Sequence, residues 1–160
     1  MINLMGRVFM AAIDDPFAAA LREVASFEGR TRVIIVDFHA EATSEKQAMA
    51  WHLDGKVTAV LGTHTHVQTA DERIMPKGTA YITDAGMTGP QDSIIGTEPD
   101  PALARFTTGM PTRFEPATGN PRLNGVVLSV DEATGRATSI LRLSCSMDDL
   151  ERMDRESQVE

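Results

Sequence analysis

Cysteine is almost absent from this 160-residue chain, and the lone Cys145 excludes an intramolecular disulfide and fits a reducing compartment. By position it reads as a small residue in or near a terminal strand. Aromatics are scarce at 5%, with one Trp and one Tyr, so the core has to be aliphatic, built from Val, Ile, Leu, Ala and Met. Cations are in deficit: 15 Lys and Arg face 23 Asp and Glu, a formal charge of −8. That argues against a chain whose main business is wrapping a long polyanion, because phosphate backbones need clustered Lys and Arg. A small phosphorylated substrate stays open, since bound cations reverse a local potential. No apolar run approaches the ~20 residues of a membrane span, and no charged-then-apolar signal pattern opens the chain. Cytoplasm is the expected location, with no membrane partner and no specific nucleic-acid binding.

What is present is 42% hydrophobic and 24% charged residues in a length that suits one domain with a real core. Met1 to Phe9 reads as a strand already under way at residue 1. Asp14-Asp15-Pro16 is a helix-start signal, followed by Phe17, Ala20, Leu21 and Val24 at helical spacing, to about Phe27. Val33 to Phe38 is a near-continuous β-branched run, the mark of a strand buried on both faces. Ser44 and Gln47 have capping-box spacing and predict a helix carrying Ala48, Met49, Trp51 and Leu53, ended by Asp54-Gly55. Val57 to Leu61 is the next strand. The order β-α-β-α-β predicts parallel strands with helices packed on the sheet. Thr79 to Thr83 follows as a short strand, then a Gly-rich loop over Asp84 to Pro90. Residues 91 to 121 read as an extended excursion with one helix near Asp100 to Phe106. Leu123–Asp131 and Arg136–Leu143 predict a hairpin whose turn places Gly135 for a positive φ. The expected division is one domain over 1–146 and a charged, frayed or disordered tail over 147–160.

Chemistry is concentrated where the second and third strands end. His39 closes one apolar run, and Gly62-Thr63-His64-Thr65-His66 closes the next. On an extended backbone His64 and His66 project to one side, with Thr65 pointing away. In parallel sheets ligands bind beyond the carboxyl ends of the strands, so all three histidines converge on one rim. Neutral imidazole is the commonest ligand for Zn, Fe and Mn. A hydrolytic two-metal site needs a bridging carboxylate and further ligands, and three histidines supply about half of its shell. Asp37, Glu41 and Asp71 are candidate acceptors for imidazole N–H groups. His52, mid-helix, reads as structural or solvent-facing. The loop Gly86 to Gly89 offers amides to a phosphate or forms a plain turn.

The strings Asp37-Phe38-His39-Ala40-Glu41-Ala42-Thr43-Ser44-Glu45-Lys46 and Gly62-Thr63-His64-Thr65-His66-Val67-Gln68-Thr69-Ala70-Asp71-Glu72 resemble the bacterial YmdB-like family of calcineurin-like metallophosphoesterases. Asn3-Leu4-Met5-Gly6-Arg7 and Thr83-Asp84-Ala85-Gly86-Met87-Thr88-Gly89-Pro90 add to the match, which covers essentially residues 1 to 144. The resemblance implies an α/β class, a partial calcineurin-like fold in which a β-sandwich is flanked by helices. It implies a phosphodiesterase acting on 2′,3′-cyclic nucleotides such as 2′,3′-cAMP, with iron or manganese in a binuclear site. Carried over by residue, His39 and His64 would share one metal and His66 would reach the other.

The family pattern also has an N-terminal segment with an aspartate, a bridging glutamate, asparagines and a Gly-Asn-His motif whose histidine is the general acid. No Asn-His pair occurs in this sequence. The chain therefore looks like the C-terminal part of such a protein, with no catalytic acid of its own. Three neutral histidines leave two dications uncompensated, so one metal on His39, His64 and His66 is the most the chain alone is expected to hold. An incomplete sandwich exposes apolar sheet surface, which predicts a homo-oligomer or pairing with the missing N-terminal fragment. The alternative reading is a non-catalytic metal-binding or interaction module.

Overall fold

A computed structural model describes residues 1–157. In chain order the elements are β1 (Ile2–Met5), α1 (Pro16–Ser26), β2 (Ile35–His39), α2 (Thr43–Leu53), β3 (Ala59–Thr63), β4 (Arg73–Ile74), β5 (Ala80–Ile82), β6 (Gly89–Pro90), α3 (Pro99–Thr108), β7 (Pro121–Asp131), β8 (Arg136–Ser146) and α4 (Met147–Ser157). The larger sheet has the order β1-β2-β3-β5-β4. Its first four strands are parallel, and only β4 runs against its neighbour β5. The class is mixed α/β with a parallel-rich sheet. Contacts divide the chain into two compact units, Met1–Gly86 with Val126–Arg142, and Met87–Gly125 with the chain from Leu143 onward.

In the first unit, strand alternation separates two apolar layers. Val36, Phe38, Val60 and Tyr81 face a core shared with Met49, Ala50 and Leu53 of α2 and Phe17, Ala20 and Val24 of α1. Ile35, Ala59, Leu61, Ala80 and Ile82 face the other way, against Val126, Leu128, Ala137 and Ile140 of the hairpin. Burying a side chain such as Phe38 or Met49 in full contributes roughly 1.5–3 kcal/mol each. The same parity places the polar groups at the strand ends. Asp37 and His39 share the face of Ile35, and Thr63 shares the face of Leu61, so they continue the hairpin side of the sheet past its apolar part.

Several boundaries differ from the sequence expectation, each for a local reason. β1 stops at Met5: the Gly6 N–H still reaches the His39 carbonyl at 2.8 Å, but the Arg7 and Val8 N–H groups turn away and donate to the Glu45 carboxylate at 3.0 and 3.3 Å. Glu45 is buried in the first turn of α2, where negative charge suits the helix dipole. The Ser44/Gln47 capping box is not used. The cap residue is Ala42, with no side-chain cap bond. β3 runs on to Thr63, two residues beyond the expected Leu61. The two-residue strands β4 and β6 are too short to leave a periodic signal.

The hairpin turn is as expected, with Gly135 at φ 74 and its N–H on the Asp131 carbonyl at 2.7 Å. In the second unit, β6 pairs antiparallel with the start of β7, and α3 ends on Gly109 at φ 69. The charged tail is helical over Met147–Ser157, and no residue of it is buried. Ser146 and Asp149 make a reciprocal capping box, with Ser146 N–H on Asp149 Oδ2 at 3.0 Å and Asp149 N–H on Ser146 Oγ at 3.2 Å. The rest of the expected tail, 158–160, lies outside the described residues. Cys145 is a buried, free thiol on β8. Among the described residues no helix is long and apolar enough to cross a membrane.

Candidate functional site

His39 is the last residue of β2, and His64 is the first residue beyond β3. The register pairs His39 with Thr63, which sets the two imidazoles side by side at the carboxyl rim. Their rings meet edge to face with centroids 4.8 Å apart. His39 Nε2 and His64 Nδ1 are 3.0 Å apart. The far nitrogens are each tied down. His64 Nε2 lies 2.6 Å from Glu41 Oε2, and His39 Nδ1 lies 3.1 Å from Thr63 Oγ1.

The direction of these bonds fixes the tautomers. Thr63 has one hydroxyl proton and donates it to Asp37 Oδ1 at 3.0 Å, while Asn3 donates to Asp37 Oδ2 at 2.7 Å. An ionised carboxylate accepts only, so the Thr63 oxygen is left to accept, and His39 Nδ1 carries the N–H. By the same logic Glu41 accepts from His64 Nε2–H. In two neutral rings held this way, both facing nitrogens present lone pairs. Two lone pairs at 3.0 Å repel unless a cation lies between them, either a proton or a metal ion. Two nitrogens each ~2.0–2.1 Å from one transition-metal ion are about 2.9 Å apart at a right-angled ligand pair and about 3.4 Å apart at a tetrahedral one. The donor set of His39 and His64 therefore fits one shared ion. Carboxylate or hydroxyl anchoring of the outer N–H is what metal-bound histidines show.

The backbone at His64 and His66 differs from the extended conformation that the sequence picture assumes. His64 has φ 120 and His66 φ 65, so the segment leaves the extended conformation as soon as β3 ends. The alternation that would put both rings on one side no longer applies. Among the described residues no group of three or more His, Cys, Asp and Glu side chains is arranged to hold a metal ion. The structure gathers His39, His64 and Glu41 in one hydrogen-bonded row, and His66 follows in the turn. Asp71 is held by threonines: its carboxylate takes the Thr69 hydroxyl at 2.6 Å, the Thr83 N–H at 3.1 Å and the Thr83 hydroxyl. His52 packs edge-on against Phe17, with centroids 5.4 Å apart. The Gly86 N–H is already given to Asp84 Oδ1 at 2.9 Å, so it is not held out for a phosphate.

Sequence reasoning missed the group beneath the turn. Lys46 Nζ and Asp84 Oδ2 form an ion pair at 2.9 Å with both side chains only 1% exposed. The same oxygen accepts the Thr65 N–H at 2.9 Å. A lysine on a helix ordinarily reads as a solvated surface charge, and nothing in the local pattern of α2 marks Lys46 otherwise.

Burial pushes the Asp84 carboxyl up, but the Thr65 and Gly86 amides and the Lys46 ammonium reverse this and hold it below its ordinary 3.8. Asp71 is likewise pushed up by burial and brought below 3.8 by Thr69 and Thr83. A lowered folded value means the unfolded chain binds protons more readily. The contribution of both groups is therefore fully present above the ordinary value and drains as pH falls through the lowered folded one. Unfolding in urea between about pH 6 and pH 3 should show stability declining below about pH 4. Asp71→Asn should be less stable at the upper end and decline less steeply. An unchanged slope in Asp71→Asn refutes the assignment.

A cleft of about 640 Å³, lined by Val24, Phe27, Arg30, Arg32, Ile34 and Lys56 among others, is separate from the histidines. Ile34 and Lys56 precede β2 and β3, so the cleft sits at the amino ends of the strands, opposite the imidazole rim. The cleft and the imidazoles lie at opposite ends of the strands, and the chemistry is at the rim.

Comparison with known proteins identifies the family. Residues 1–143 match the family described as YmdB-like protein. The chain is 54% identical over 142 residues to the 2′,3′-cyclic-nucleotide 2′-phosphodiesterase of Bacillus subtilis, covering 89% of this chain and 54% of that protein. The crystal structure of a hypothetical protein from Thermus thermophilus superposes with TM-score 0.84 at 47% identity, over 90% of this chain and 56% of that one. A Mycoplasma pneumoniae structure described as a novel phosphatase gives TM-score 0.82 at 40% identity, over 90% and 52%. The chain thus spans about half the length of these relatives. On the match across residues 1–143, it belongs to the YmdB-like family, whose named relatives include a phosphodiesterase and a phosphatase.

Proposed function

We propose that this chain supplies the histidine half of a metal-dependent phosphodiesterase with a calcineurin-like fold, acting on 2′,3′-cyclic nucleotides. The observation that carries the reading is the pair of facing nitrogens, His39 Nε2 and His64 Nδ1, 3.0 Å apart with their outer N–H groups already anchored. His39 and His64 would hold one ion and His66 would serve a second, with iron or manganese the metals the family resemblance implies. The chemistry such ions supply when bound is polarisation of a phosphoryl oxygen and a hydroxide available near neutral pH. This chain's own part is orientation. Glu41 fixes the tautomer of His64, and the Asn3–Asp37–Thr63 row fixes that of His39. A bridging carboxylate and a general acid would come from the part of the relatives' length that this chain does not span. The substrate class rests on the Bacillus relative, at 54% identity.

The test measures metal content and hydrolysis of 2′,3′-cAMP and bis(p-nitrophenyl) phosphate. The 160-residue chain is compared with a polypeptide that also carries the remainder of the relative's length. The chain alone should give little turnover. The longer polypeptide should give chelator-sensitive hydrolysis that His39→Ala or His64→Ala lowers by at least about 100-fold, more than losing an outer partner of a metal ligand costs. Robust hydrolysis by the 160-residue chain alone would falsify the half-site reading. Metal bound without turnover in either form would favour a non-catalytic metal-binding module.

A further inference from the structure

The Lys46–Asp84 pair sits in a place where a fully buried ion pair is hard to account for by packing. Removing two charges from water costs several kcal/mol per ion, and apolar residues of similar volume are often as good for stability. Its geometry shows what the pair does instead. Lys46 reaches from α2 under the sheet end, and Asp84 follows β5. Asp84 Oδ2 accepts both the Lys46 ammonium and the Thr65 N–H, each at 2.9 Å, while Oδ1 accepts the Gly86 N–H at 2.9 Å. Thr65 is the residue between the two histidines. Its neighbours hold positive φ values of 120 and 65, in a region that side chains other than glycine rarely adopt. Such residues cost on the order of 1–3 kcal/mol each and persist only where the surroundings over-determine them. Here a visible restraint is the charge-assisted bond on the amide between them.

We propose that Lys46 and Asp84 are positioning residues: the buried pair clamps the Thr65 amide, and the clamp holds His64 against His39 and sets where His66 emerges. The ammonium keeps Asp84 ionised and fixes which oxygen faces the turn. Neither residue touches a reacting group. The consequence for metal ligation rests on the function proposed above, but the clamp itself does not, so it is tested in the metal-free chain.

The experiment compares two double variants by native-state amide hydrogen exchange and by the NMR contact between the His39 and His64 rings. Lys46→Met with Asp84→Leu removes both charges and every acceptor. Lys46→Met with Asp84→Asn removes the charges but keeps a carbonyl oxygen for Thr65. The first should exchange the Thr65 amide about 100-fold faster, as expected for a lost charge-assisted bond, and lose the ring contact. Exchange at the core positions Val36 and Val60 should stay unchanged. The second should return Thr65 to within a few-fold of the parent chain and restore the contact.

Several outcomes overturn the proposal. One is a folded Met/Leu variant with Thr65 protection and ring contact intact. Another is core amides speeding up as much as Thr65, which marks a purely structural pair. A third is a Met/Asn variant that restores nothing. Should a variant fail to fold, the parent chain still decides: a Thr65 amide that exchanges at the rate of an open loop refutes the clamp. Loss of metal binding with the exchange pattern as expected would count against the proposed function and leave the clamp standing.

Discussion

Gly62→Ala should destabilise the chain by at least about 3 kcal/mol, at the upper end of what overpacking does. A Cβ at this position would lie 1.8 Å from the Thr83 carbonyl oxygen and 2.9 Å from Lys46 Cδ. The first neighbour is backbone of the adjoining segment, so no rotamer change relieves it. Gly62 is next to last in β3, paired with Phe38 of β2, and its carbonyl accepts the Ala85 N–H at 2.8 Å. Admitting one methyl group there means parting β3 from the segment that follows β5. The same missing side chain leaves the channel through which the Lys46 stem reaches Asp84. A thermal or urea melt of Gly62→Ala checks this, with Gly125→Ala as the control, since a Cβ at Gly125 meets nothing within 4 Å. The control should stay close to the parent chain. A Gly62→Ala variant as stable as the control would show that the strands separate at no cost, and the close approach would lose its meaning.

That glycine also shows what was and was not legible beforehand. The βαβαβ order could be read because β-branched runs, the Asp15-Pro16 helix start and the hairpin glycine are each local signals, and each appears as expected in β2, β3, α1 and Gly135. The convergence of His39 and His64 could be read too, because parallel pairing puts consecutive strand ends on one rim. What failed was continuity. Alternation ends with β3 at Thr63, and in the turn beyond it His64 and His66 take positive φ, where the period of two has no force.

The polar residues beneath the rim failed for another reason. Glu45 and Lys46 are neighbours on α2 and look like solvated helix charges, yet both are buried, one on the Arg7 and Val8 amides and the other on Asp84. Their partners lie 37 or 38 residues away in sequence, and no window-based pattern joins them. Thr63 and Asn3 were invisible likewise. Each matters only through the register that sets Asn3 beside Asp37 and Thr63 beside His39.

Lys46→Met alone should be far more damaging than the double substitutions, by about 3–5 kcal/mol near neutral pH, because it leaves the Asp84 charge buried without its counter-ion. The two amides that remain on Asp84 offset part of this, so the lower end of the range applies if they keep their geometry. The penalty should depend on pH with a definite sign. In the parent chain the Asp84 carboxyl is held below 3.8, so it stays ionised across the working range. Without Lys46 one of the influences lowering it is gone, and protonation relieves the unpaired charge. The gap between variant and parent should therefore narrow as pH falls from about 7 toward 4, as the variant takes up a proton that the parent does not. Adding Asp84→Asn to Lys46→Met should recover much of the loss, since the pair couples directly and the two effects are not additive. Urea melts of the three chains at two pH values measure all of this. A Lys46→Met gap below about 1 kcal/mol that does not change with pH would mean the ammonium is not what keeps Asp84 charged, and the His64–Thr65–His66 turn would have to owe its conformation to something other than that ion pair.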